Sequence, residues 1–168
     1  MTPETRRTLG IVLALYAAAI LQCRFADTIS VFGARPDFPT AIVILGAIFC
    51  DASGGASVGF FAGLLYASVV SPPHAGFGSL IVSRTLIGTG VGWLESRLFR
   101  DNGLIAIGLV AVGTALANAL FFLLAPQPNI AHWLRAALST VLYNTVIAFP
   151  LYLIIRWLVG KYREEDLR

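Results

Sequence analysis

Six long apolar runs, set apart by turn chemistry, constrain this chain more than any other feature. Residues 9–23, 40–50, 56–70, 78–94, 103–125 and 130–159 are built mainly from Leu, Ile, Val, Ala, Phe and Gly. A water-soluble domain of 168 residues has too much surface per unit volume to hide so many apolar segments. Charged residues make up 12% of the chain, about half the usual share for a soluble domain. Disorder is excluded for the opposite reason, because the apolar fraction of 57% cannot be left in water. The remaining class is an all-α polytopic transmembrane helical bundle forming one integral membrane domain over 1–168.

The net charge of +3 does not point to nucleic acid, since no basic patch, finger or basic helix gathers the cations. Cys23 and Cys50 lie in apolar stretches and are expected as buried free thiols. The first run follows Arg6-Arg7 and superficially resembles a signal peptide, but Gln22 before Cys23 argues against cleavage.

The expected spans are about 9–26, 37–50, 55–70, 78–94, 103–125 and 131–159, followed by a polar tail, 160–168. Asp37 is placed to cap the second helix, with Pro39 in its first turn. Two readings compete for the region after it. One is a single long helix over 39–70; the other is a pair of short helices in a tight hairpin, favoured by Asp51 and Gly54-Gly55 at the midpoint. Each short helix would measure about 22 Å, less than the ~30 Å hydrocarbon core. Pro150 is expected to kink the last span.

Charge asymmetry orients the bundle. Six spans put Arg6, Arg7, Arg97, Arg100, Arg156, Lys161, Arg163 and Arg168 on one side, against Arg24, Arg35 and Arg135 on the other. Eight against three predicts cytoplasmic termini.

The supply of reactive groups is thin. His74 and His132 have no carboxylate at a metal-ligand spacing, and neither a nucleophile elbow nor a P-loop is present. Ser71, Ser79 and Ser83 have no evident base. No catalytic, cofactor or metal site is expected. Asp51 reads as a solvated cap and Glu95 as a charge closing a span. Arg84 lies about 9 Å into the fourth span by helical rise. It either snorkels to the headgroups or meets a buried carbonyl, carboxylate or anionic ligand. Asn118 and Asn144 read as interhelical hydrogen-bonders or as ligand contacts.

Small residues form the clearest pattern. Gly59 and Gly63, then Gly88 and Gly92, stand four apart on single helical faces, as do Ala14 and Ala18. Such faces let backbones approach closely, either within the monomer or against another membrane protein.

The block Arg35-Pro36-Asp37-Phe38, Gly54-Gly55, Gly59-Phe60-Phe61-Ala62-Gly63-Leu64-Leu65 and Gly76-Phe77-Gly78-Ser79-Leu80 resembles MreD, the rod-shape-determining membrane protein family of bacteria. Many members carry an acidic residue after the Gly-Leu-Leu stretch, where this chain has Tyr66-Ala67-Ser68. The resemblance implies a non-enzymatic inner-membrane subunit of the cell-elongation machinery. Its partners would be MreC, with RodA and penicillin-binding protein 2 in the same assembly supporting peptidoglycan synthesis, and membrane lipids. It also implies a fold similar to the S-components of energy-coupling-factor transporters. That similarity supplies the alternative: a substrate-binding subunit of a vitamin-type transporter, with Arg84, Asn118 and Asn144 lining its pocket and Ala14/Ala18 facing its partner.

Overall fold

Turn residues and apolar runs translate into six α-helices among the described residues, which are 3–30, 35–70, 76–94 and 102–159 of a computed structural model. They are α1 (Pro3–Phe25), α2 (Phe38–Ala47), α3 (Ala52–Val70), α4 (Phe77–Leu94), α5 (Gly103–Leu124) and α6 (Ile130–Val159). The readings on Ser71, His74, Glu95, Arg97, Arg100 and the tail 160–168 lie outside the described residues.

Successive helices run in opposite directions. At one end, Arg6 and Arg7 of α1 donate to the carbonyls of Trp157 at 3.5 Å and Phe49 at 3.3 Å. At the other, Gln22 of α1 bonds to Pro36 and Phe38, where α2 starts. We call these the near and far ends. Gly103 at the start of α5 faces Tyr152, late in α6, so α5 also begins at the near end.

Between α2 and α3 the hairpin forms, and the single long helix does not. The chain tightens after Ala47 through bonds from Phe49 N–H to Gly46 O and from Cys50 N–H to Ala47 O. Asp51, exposed, then accepts from Gly54 N–H at 2.9 Å and so satisfies an orphan donor at the start of α3.

The core is organised around α2, every residue of which is buried. It touches α1, α3, α4, α5 and α6. Ile42, Ile44, Leu45 and Ile48 pack into Ile11, Ala18, Val110, Ala117 and Ile155. A helix of 10 residues is about 15 Å long, half a hydrocarbon core, so α2 is an inner strut.

The glycine faces of α3 and α4 are spent on each other. A Cβ at Gly55 would overlap the Gly88 carbonyl oxygen, and one at Gly59 would overlap the Arg84 carbonyl oxygen. At Gly63 it would meet Ile81 Cα at 2.7 Å, and at Gly92 the Asp51 carbonyl oxygen at 2.5 Å. Ala14 and Ala18 are likewise buried in the core of this chain. None of these positions offers a face to a second protein.

Polarity is inverted relative to a soluble fold. Asp37, Thr40, Ser83, Arg84, Thr114 and Asn144 are buried, while large apolar side chains face outward. On α6 the outward stripe is Leu134, Leu138, Leu142, Val146, Leu153 and Trp157. Among the described residues, four helices are long and apolar enough to cross a membrane: Thr5–Phe25, Phe77–Leu94, Gly103–Leu124 and Ile130–Val159. Pro150 lies inside a helix that continues past it, on an exposed face. Cys50 is buried as expected, but Cys23 is exposed, because it lies in the last turn of α1 at the open far end of the bundle.

Candidate functional site

At the far end, the tripeptide Pro36-Asp37-Phe38 enters α2 and is held by side chains from α1, α4 and α6. Asp37 is the N-cap: its Oδ1 accepts from Thr40 N–H at 3.0 Å, and its backbone carbonyl accepts from Ala41 N–H. Phe38 N–H donates to Gln22 Oε1 at 3.0 Å, and Pro39 has no N–H to satisfy. Every orphan donor at the start of this buried helix therefore has a partner, which an apolar interior requires.

The Asp37 carboxylate also meets Arg84. Arg84 Nη2 donates to Asp37 Oδ2 at 2.8 Å, Nε to Thr40 Oγ1 at 3.1 Å, and Nη1 to Ser83 Oγ at 3.0 Å. Thr40 Oγ1–H in turn donates a hydrogen bond to Asp37 Oδ2 at 2.7 Å. Ser83 donates to the Leu80 carbonyl. The guanidinium also lies 5.2 Å from the centroid of the Tyr66 ring, a cation–π contact. Arg84 is only 2% exposed, so it does not snorkel; the buried carboxylate partner is the correct reading. Tyr66 occupies the region in which the resemblance leads one to look for an acid, and here its ring packs against the cation that Asp37 neutralises.

Asn144 works on the backbone of the same residue. Its Oδ1 accepts from Asp37 N–H at 2.9 Å, and its Nδ2 donates to Asp37 O at 3.1 Å and to Thr114 Oγ1 at 3.3 Å. It is an interhelical hydrogen-bonder beneath the surface, and it does not line the cavity described next.

Above this network lies a cavity of about 880 Å³, bounded by the far ends of α1, α5 and α6 over the start of α2. Asp37, Arg84 and Asn118 contribute to it from inside; His132 and Arg135, both exposed, contribute from its mouth. Asn118 makes no side-chain hydrogen bond among the described residues, and its Nδ2 is fully enclosed. An unpaired enclosed amide costs about 1–3 kcal/mol. Arg135 likewise has no partner among the described residues, whereas Arg35 pairs with Asp27 at 3.0 Å.

The sequence had marked Arg84, Asn118 and Asn144, and the structure gathers the three at one end of the bundle. Gln22, Thr40, Thr114 and Trp133 were missed, and Ser83 was weighed only as a nucleophile. A rule that an in-span cation seeks an acid at the same level would have joined Arg84 to Asp37; nothing in the sequence marks the others. Comparison with known proteins yields no match: no family model fits the chain, and no curated protein or solved structure is significantly similar to it.

Proposed function

We propose that the chain is a non-enzymatic membrane subunit of the bacterial cell-elongation machinery, similar to MreD, that docks against the membrane helix of MreC and supports wall synthesis by RodA and penicillin-binding protein 2. In this reading all six helices form the membrane domain of an inner-membrane protein, in an arrangement similar to energy-coupling-factor S-components, with cytoplasmic termini. The supporting observation is the placement of the Arg35–Phe38 entry. Pro36, Asp37 and Phe38, within the block that carries the resemblance, are the residues on which side chains of α1, α4 and α6 converge at the start of α2.

Because the glycine faces are consumed inside the monomer, a partner helix must use an outward apolar stripe, such as those of α1, α5 and α6. Photocrosslinking residues placed at Tyr16, Leu116 and Leu142, all more than half exposed, test this in cells that also make MreC. A crosslink confined to one of the three faces supports the proposal. Absence of any crosslink, together with failure to co-purify, would sink it.

The cavity favours a second reading, a membrane subunit that binds a small molecule for transport. A stoichiometric water-soluble metabolite retained on the purified protein, and co-purification with a transporter ATPase instead of MreC, would select it.

A further inference from the structure

The walls of the far-end cavity carry an unbalanced charge. Arg35, Arg84 and Arg135 face Asp27 and Asp37. Two ion pairs, Arg35–Asp27 and Arg84–Asp37, account for four of these five groups. Among the described residues, Arg135 is left as one uncompensated positive charge.

Arg135 stands five positions into α6, and Asn118 lies six before the end of α5. By helical rise both sit about 8–9 Å from the far ends of their helices, at a common level. Asn118 offers an uncommitted amide that can present either its N–H or its C=O edge. Beside them, Trp133 and Phe121 supply aromatic wall, and Trp133 is held in place by Phe122 with ring centroids 4.3 Å apart.

The depth of this level follows from α6. The stretch 136–155 between Arg135 and Arg156 has no charged residue. At 1.5 Å per residue it spans about 30 Å, one hydrocarbon thickness. Arg135 therefore marks the far boundary of the hydrocarbon, from which a guanidinium reaches the adjoining headgroup layer that holds the lipid phosphates. A cavity with one spare cation, one spare amide and an aromatic wall at that boundary suits a molecule that is both acidic and apolar.

We infer that the cavity is a binding site for an amphipathic monoanion, a single phosphate or carboxylate charge on an apolar body. The anion sits at Arg135 and Asn118, and the apolar part lies along Trp133 and Phe121. The volume of about 880 Å³ is within the ~300–1,000 Å³ of sites for organic ligands. An acidic phospholipid of the bilayer and a water-borne acidic amphiphile share this chemistry. The inference rests on the cavity and is independent of the docking partner.

The test uses the full-length protein in nanodiscs of equal phosphatidylglycerol and phosphatidylcholine, examined by native mass spectrometry. A parallel titration adds octyl phosphate at about pH 5, where the monoester carries a single charge, in phosphatidylcholine nanodiscs, read by tryptophan fluorescence. The expected result is one phosphatidylglycerol retained per chain in preference to phosphatidylcholine, with Arg135→Gln and Asn118→Leu each lowering retention at least tenfold. Binding of octyl phosphate without phosphatidylglycerol selection, still dependent on both residues, also supports the inference and places the source in water. Equal retention of the two lipids with no octyl phosphate binding overturns it. So does an effect of Arg135→Gln without one of Asn118→Leu, which would put the anion on the outer surface of α6. Melting temperatures separate lost binding from lost fold, and Ala137→Phe, which fills the cavity from α6, replaces Asn118→Leu if that variant unfolds. None of these variants should alter co-purification with MreC, so failure here and failure of the docking proposal are distinguishable.

Discussion

Asp37 carries three duties in one residue: it caps α2, neutralises Arg84, and presents its backbone to Asn144. A buried pair of this kind is weak evidence for net stability, yet breaking it is costly, because the remaining charge is stranded. Arg84→Met should therefore destabilise the protein by about 3–5 kcal/mol. Adding Asp37→Asn removes the stranded carboxylate while keeping a side chain able to cap the helix. The double variant should recover at least half of the loss, read from thermal unfolding in detergent. A double variant no more stable than Arg84→Met would mean that the guanidinium acts by packing, on Tyr66 for example, and not by charge. The sequence placed Asp37 at a cap and Arg84 within a span. Their pairing was legible only as a rule of chemistry, since 47 positions separate them.

At the scale of elements, the α3–α4 contact is decided by absent side chains. Gly55, Gly59 and Gly63 face Gly88, the Arg84 carbonyl and Ile81, so the two backbones touch along most of their length. Van der Waals packing of this kind drives helix association where lipid removes the hydrophobic advantage. Gly59→Ala should force the helices apart and cost about 1–3 kcal/mol, the usual range for overpacking. Gly90→Ala is the control: a Cβ there meets nothing within 4 Å, and better helix propensity should leave stability equal or raised by up to about 1 kcal/mol. Comparing the two melting temperatures checks both statements. The four-residue spacing was visible in the sequence. Which helix each glycine face would meet was not, because the same spacing serves contacts inside a monomer and between proteins.

At the scale of the whole molecule, the two ends of the bundle differ in kind. The near end gathers both ends of the folded chain and the α2–α3 turn; the far end holds the clasp around Asp37 and the cavity. The two cysteines report on them separately, since Cys23 is exposed and lines the cavity whereas Cys50 is buried near the α2–α3 turn. If the termini are cytoplasmic, a membrane-impermeant maleimide added to intact cells should label Cys23, and Cys50 should react only after denaturation. Labelling of Cys23 solely in inverted vesicles would reverse the orientation.

The amino-acid sequence alone determined the all-helical, apolar character of this protein and the approximate position of its helical runs, and it favoured a break between α2 and α3 that the structure then decided. Each of these is set by local quantities, hydropathy summed over a run and a cap such as Asp37 or Asp51; the Gly54-Gly55 pair, expected at the midpoint of the turn, instead lies inside the first turn of α3. Tertiary structure alone decided that the shortest helix would be the most buried, that Arg84 would turn inward to Asp37, and that Asn144 would serve the backbone while Asn118 stayed free. Those outcomes depend on which residues meet at one level of the bundle. Such meetings arise from helices packed side by side, and the order of residues along one helix does not encode its neighbours.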